Sequence, residues 1–190
     1  MSALLSVLLG IGLSAACGFR IFVPFLLVGI AARTGHAMLG PNFAWMASTP
    51  ALIALGVAAL VEIGAYYIPW LDHMLDVIAT PAAVVAGVVM TASVVTGLDP
   101  MLKWTLALIA GGGIAGTVQA LTVGTRKASL LTTGGLANPV VSTLELLGSV
   151  LLTILAIALP LLAFAVIAWA LFFGVRYLLR VTRGLGRTAP

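Results

Sequence analysis

The sequence predicts an all-α fold, a polytopic bundle of membrane-spanning helices, and three observations carry that expectation. Charge is scarce: nine Lys or Arg and five Asp or Glu stand among 190 residues, against 62% apolar. A soluble surface has about a quarter of its residues charged, so water cannot solvate most of this chain. The apolar residues come in long runs, and about 20 helical residues cross roughly 30 Å of hydrocarbon. Gly, Pro and short polar clusters separate the runs. In lipid every backbone polar group must be satisfied within the fold, which selects helices over open sheet edges.

The first run covers 3–32 and is interrupted by Gly18-Phe19-Arg20 and Pro24. A loop at 33–49 follows, with Gly35, Gly40, Pro41 and Pro50 as breakers. The second run, 50–70, contains Glu62, and a short polar turn at Asp72-His73-Met74-Leu75-Asp76 leads to a third run at 81–98. Asp99-Pro100 ends it. The fourth run starts at Met101 and ends at Gly124-Thr125-Arg126-Lys127. A less apolar stretch, 128–145, carries Thr132-Thr133-Gly134-Gly135 and Asn138-Pro139. The last run, 146–175, holds Pro160 at its middle, so it is either one tilted, kinked helix or two spans.

Five or six spans are therefore expected, in one transmembrane domain over 1–190 with a basic tail at 176–190. Arg176, Arg180, Arg183 and Arg187 place that tail on the cytoplasmic side by the positive-inside rule. The remaining loop charges do not choose between the counts. Trp169 favours five, because tryptophan prefers the interface. An internal echo favours six. Cys17-Gly18-Phe19-Arg20 in 1–99 matches Val123-Gly124-Thr125-Arg126 in 100–180, and each half then carries a glutamate in apolar surroundings, Glu62 or Glu145. Three spans per half would make an inverted repeat with broken helices, the pattern of transporters.

Composition also limits partners. No basic, aromatic-bearing soluble fold is present to bind nucleic acid. The single Cys17 excludes an internal disulfide and a cysteine metal cluster. Its setting is similar to a lipoprotein cleavage site, but the basic n-region of a secretory signal is missing, so the segment reads as a retained span. No P-loop, nucleotide-binding glycine motif, nucleophile elbow or zinc motif appears, and neither an enzyme activity nor a cofactor is expected.

The candidate site is Arg20, Glu62, Arg126, Asn138 and Glu145. A lone charge at mid-bilayer costs at least about 2.5–3.5 kcal/mol, which favours pairing in the protein interior. Such a centre binds an ion, a proton or an anionic headgroup, or it only pins broken helices together; the arginines could also snorkel to the interface. Asp72, His73 and Asp76 form a second polar cluster. On a helix they share a face and could hold a divalent cation, although three ligands are a weak metal signal. The simpler reading is an interfacial turn with an Asp cap. Asn138-Pro139 with Thr132 and Thr133 is either a re-entrant element or a surface loop with Pro139 starting a helix. Gly112 with Gly116, Gly12 with Ala16, and Ala83 with Gly87 mark close helix packing inside the protein.

Several dispersed motifs resemble an uncharacterised family of bacterial integral membrane proteins, domain of unknown function 4126. They are Gly18-Phe19-Arg20-Ile21-Phe22-Val23-Pro24, Glu62-Ile63, and Ile68-Pro69-Trp70-Leu71-Asp72-His73-Met74-Leu75-Asp76 in the first half. Arg126, Gly134-Gly135-Leu136-Ala137-Asn138-Pro139 and Ser142-Thr143-Leu144-Glu145 follow in the second. The family tends to have charged residues where this chain has Tyr66-Tyr67, Gln119, Thr122 and Leu146. Those losses count against a proton relay at these positions and leave neutral or lipid substrates open. The resemblance implies the membrane class and the site residues; it implies no reaction.

The leading functional expectation is a small inner-membrane transporter or channel-like carrier of a small solute or ion, working as a homo-oligomer. The alternatives are a lipid- or isoprenoid-phosphate-handling protein, with Tyr66, Tyr67 and Trp70 along an acyl groove, and an accessory subunit of a membrane complex. Membrane lipids are partners in each.

Overall fold

A computed structural model describes residues 2–185, with the side chains of 69–74, 175 and 177–185 outside the description. All its regular elements are helical: α1 (Ala3–Phe19), α2 (Phe22–Arg33), a 3-10 turn (Pro41–Ala47), α3 (Thr49–Ala65), α4 (Pro69–Val94), α5 (Pro100–Leu106), a π turn (Ala107–Gly112), α6 (Gly113–Thr133), α7 (Asn138–Ala158) and α8 (Pro160–Leu185). Among the described residues, three helical stretches are long and apolar enough to cross a membrane: Leu75–Val94, Pro100–Thr133 and Asn138–Ala158. The 3-10 turn and α3, bent by 67°, make a fourth if they count as one span.

Local chemistry sets the helix starts. Ser2 accepts from the Leu5 N–H, Ser48 from Ala51 and Asp99 from Met101, each filling an orphan donor at an N-terminus. Pro50, Pro100 and Pro139 stand in first turns, where a missing N–H costs nothing.

Two boundaries differ from the sequence reading, and two alternatives it left open are decided. The polar residues 72–76 are not a turn; they lie in the opening turns of α4, which starts at Pro69 and passes through Pro81. Acidic residues suit a helix N-terminus, so polarity there did not mean a break. Thr80 Oγ1 donates to the Asp76 carbonyl beside the proline, a local bond of the kind that helps membrane helices tolerate one. Second, α6 runs past Arg126 to Thr133 and ends at Gly134, which has φ of +62°. The arginine did not stop the helix because its charge is paired. Third, the stretch 128–145 is accordingly a helix end, a tight turn and a helix start, with Pro139 in the first turn of α7. Of the two sequence readings, this geometry is the one with Pro139 starting a helix. Fourth, the run 146–175 divides at Leu159 into α7 and α8.

Contacts along the helices give their directions. Ser6 meets Thr96 and Thr91 bonds the Gly10 carbonyl, so α4 runs antiparallel to α1. A Cβ on Gly18 would strike Ala115 and Val118, and one on Gly111 would strike Thr91, so α5, the π turn and α6 run with α1. Ser149 Oγ bonds the Ala16 carbonyl and Gly12 abuts Ala156, so α7 descends against α1. Gly12 also faces Ala163, while Leu171 packs with Phe19 and Gly174 lies beside Leu121; α8 therefore rises again. Five long elements alternate in direction around α1. Beside them α2 and α3 form an antiparallel pair, joined where Gly29 meets Met46 and Leu52.

At one crossing glycine meets glycine. A Cβ on Gly87 would come within 2.5 Å of the Gly111 carbonyl oxygen, so α4 and the π turn meet backbone to backbone. The small-residue faces expected at Gly12, Gly87 and Gly112 are spent on this internal packing. Polarity is arranged inside out for water. The buried face of α7 is Asn138, Ser142, Glu145, Ser149, Thr153 and Ala156, while Leu144 is 62% and Leu151 65% exposed. That distribution suits lipid outside and a small, polar contact inside.

Candidate functional site

The chain must break at Arg20 for the site to form. Arg20 leaves α1 in extended conformation, φ −145° and ψ 136°, and the chain turns back into α2. The new helix begins with orphan N–H groups. Two of them are met from α3: Ile21 N donates to Glu62 Oε1 at 2.7 Å and Phe22 N to Glu62 Oε2 at 3.0 Å. Glu62 thus caps a helix 40 residues away in sequence, and its negative charge suits the positive end of α2.

Arg126 projects from α6 between two acids. Its Nε donates to Glu145 Oε1 at 3.0 Å, its Nη2 also bonds Glu145, and its Nη1 donates to Asp76 Oδ1 at 2.8 Å. The planar guanidinium takes Glu145 through two nitrogens and keeps a third for Asp76. This ties α6 to α7 and α4. Arg126 is 2% exposed, so this is an interior ion triad.

Arg20 is 1% exposed and is held less completely. Its Nη2 donates to the Ser142 carbonyl at 3.1 Å and stands 3.7 Å from Glu145 Oε2. Its Nε and Nη1 have no hydrogen-bond partner among the described residues. Tyr66, the residue that ends α3, lies beside both arginines: each guanidinium carbon is 4.0 Å from the centre of its ring. The ring face attracts cations, so Tyr66 separates two like charges while stabilising each.

The structure therefore gathers Arg20, Glu62, Arg126 and Glu145 around one level of the bundle, and it draws in Asp76 from the second polar cluster. Asp72 and His73 have side chains outside the described residues. Asp76 is committed to Arg126, and among the described residues no group of three or more His, Cys, Asp or Glu is placed to hold a metal ion. Asn138 is buried on the same face of α7 as Ser142 and Glu145, about 10 Å further along at 1.5 Å per residue. Sequence reasoning missed Tyr66 as the platform between the arginines and the Ser142 carbonyl as a ligand. Backbone acceptors leave no trace in sequence. The loss of charge at 66–67 was a signal for Tyr66.

Two apolar grooves run up to this centre from opposite flanks. One, about 720 Å³, lies among α2, α3 and α4 and reaches Glu62 and Tyr66. It shares Ile21, Phe22, Ile78 and Ala82 with a further hollow of about 570 Å³. Its rim residues Val57, Val61 and Ile78 are exposed, so it opens sideways. The other flank has hollows of about 350 and 340 Å³ that share Phe19 and Leu121, and the first reaches Glu145.

A family model described as "Domain of unknown function (DUF4126)" matches residues 7–180. The chain belongs to this family. The matched span takes in Arg20, Glu62, Tyr66, Asp76, Arg126 and Glu145, so the whole centre lies in the family's own region. No curated protein and no solved structure matches the chain. Family membership thus fixes what the chain is related to and leaves the chemistry to the site itself. Two arginines, three carboxylates and a phenol, buried or half-buried in the bundle, can hold a charged or hydrogen-bonding group in a fixed place.

Proposed function

We propose that the protein is a carrier of a membrane amphiphile in the bacterial inner membrane, holding an apolar chain in the side groove and a polar head at the arginine centre. One observation carries this reading. The groove is walled by aliphatic side chains, opens on the flank that lipid would cover, and ends at Glu62 and Tyr66 in front of the ionic centre. Ligand sites are concave and mostly apolar with a few convergent polar groups, and this one has that form. A water-filled path for a hydrophilic solute would need polar walls along its length. The reading joins the carrier and lipid-handling expectations. A plain ion carrier has one observation in its favour, the excess of three carboxylates over two arginines in the centre.

The alternating directions of α1, α4, α5 to α6, α7 and α8 favour five membrane passes, with α2 and α3 as a flanking pair. At 1.5 Å per residue the 12 residues of α2 reach only about 18 Å, short of a crossing. The start of α1 and the end of α8 then face opposite sides, with the basic end of α8 in the cytoplasm. An inverted repeat would give both ends one side, and it now rests on the two arginine–glutamate pairs alone. The exposed face of α3, with Ile53, Val57, Leu60 and Val61, is available to a second copy.

Native mass spectrometry of the gently purified protein tests the reading. A retained lipid-sized adduct is expected, and Ala58→Trp, which fills the groove, removes it. Retention of nothing beyond detergent, or an adduct indifferent to Ala58→Trp, overturns it.

A further inference from the structure

The groove explains where a chain lies; Arg20 specifies what the chain carries. We infer that Arg20 is the head-recognising residue for an anionic oxygen group, a phosphate or carboxylate, and that the Tyr66 ring is the door between it and the groove. This rests on the amphiphile reading above.

The argument begins with hydrogen-bond satisfaction. A guanidinium carries five N–H donors and no acceptor, and buried donors are almost always paired. Among the described residues, two of the three nitrogens of Arg20 have no hydrogen-bond partner, and the residue is 1% exposed. Neighbouring acids do not repair this. Glu62 has both oxygens on the N–H groups of Ile21 and Phe22. Asp76 faces Arg126, and Glu145 bonds Arg126 through both oxygens while standing 3.7 Å from Arg20. Arg20 is thus the cation of the centre whose partner is incomplete. An anionic oxygen would accept from the donors left idle, in a charge-assisted hydrogen bond.

Access follows from Tyr66. Its ring lies over the Arg20 guanidinium and also forms part of the groove wall. Arg20 itself does not line the groove. A rotation of the Tyr66 side chain is the shortest way to bring a head from the groove to Nε and Nη1. The opposite flank reaches Glu145, which is itself an anion, and offers an anionic head a poorer approach.

The test compares dioctanoyl phosphatidic acid, dioctanoyl glycerol and inorganic phosphate, each titrated into the full-length protein in detergent. Phosphatidic acid is expected to bind at least about tenfold tighter than the glycerol, the worth of one charge-assisted hydrogen bond. Arg20→Gln should erase that preference while the glycerol still binds. Arg20→Lys, which keeps the charge and folds more easily, should reduce it without erasing it. Tyr66→Leu should speed phosphatidic acid entry. Equal binding of both lipids, lost together in Ala58→Trp, overturns the head inference and leaves the groove standing. Inorganic phosphate binding through Arg20 as tightly as the lipid, and unaffected by Ala58→Trp, keeps the Arg20 site and overturns the groove. A phosphatidic acid preference that survives in folded Arg20→Gln also overturns the inference.

Discussion

Arg126 and Arg20 share one tyrosine ring and one glutamate, yet they are built for different work. Arg126 sits inside a continuous helix, with Glu145 on one side and Asp76 on the other. Arg20 sits at a chain break, with one carbonyl, a carboxylate at 3.7 Å and two idle nitrogens. The first arrangement spends its donors on fixing three long helices. The second keeps donors in reserve. On the reading proposed above, the count of satisfied bonds, and not the residue type, separates the recognising arginine from the fixing one.

The largest effect expected is on the fixing side. Arg126→Met leaves Glu145 and Asp76 buried close together with their main cation gone, and removing one partner of a buried pair costs about 3–5 kcal/mol. Arg20→Met should cost less, because fewer bonds are lost. Denaturant unfolding in mixed micelles measures both. A larger loss for Arg20→Met would reverse the comparison.

Glu62 comes next. Both its oxygens accept backbone N–H groups, and Gln can present one oxygen and must turn an NH₂ toward the other donor. Glu62→Gln should destabilise by about 1.5–3 kcal/mol, the worth of one hydrogen bond to a charged group. Binding of a neutral amphiphile should persist in the folded fraction. Loss of binding with full stability would make Glu62 a ligand group instead of a cap.

The class of fold was legible because lipid imposes it: scarce charge and long apolar runs leave few alternatives. The break at Pro160, one of the two readings of the last run, was equally local. What failed was the habit of reading polar residues as breaks. Residues 72–76 and 124–127 lie within α4 and α6, and two buried charges there, Asp76 and Arg126, answer each other. Arg126 finds Asp76 across 50 positions, and no spacing rule predicts that. Arg20, Glu62, Arg126 and Glu145 could be singled out since each was a charge in apolar surroundings, but their pairing could not. The expectation of two matched halves placed Arg20 with Arg126 as equivalents. Tertiary packing makes one a helix-interior clamp and the other a turn residue.

The smallest predicted effect sharpens the contrast through the residue both arginines share. Tyr66→Phe keeps the ring, so its cost should stay under about 1.5 kcal/mol, that of one hydrogen bond. Tyr66→Leu removes the π face from two cations, each worth about 0.5–2 kcal/mol. Those two losses should not be equal. Arg126 keeps both its carboxylates when the ring is gone, whereas Arg20 keeps only the Ser142 carbonyl and a shared Glu145. Double-mutant cycles of Tyr66→Leu with Arg20→Gln and with Arg126→Gln read the two couplings separately. The Arg20 coupling should be the larger. Equal couplings would mean that the ring serves both arginines alike, and the division between a clamped and a reserved cation would then rest on hydrogen bonds alone.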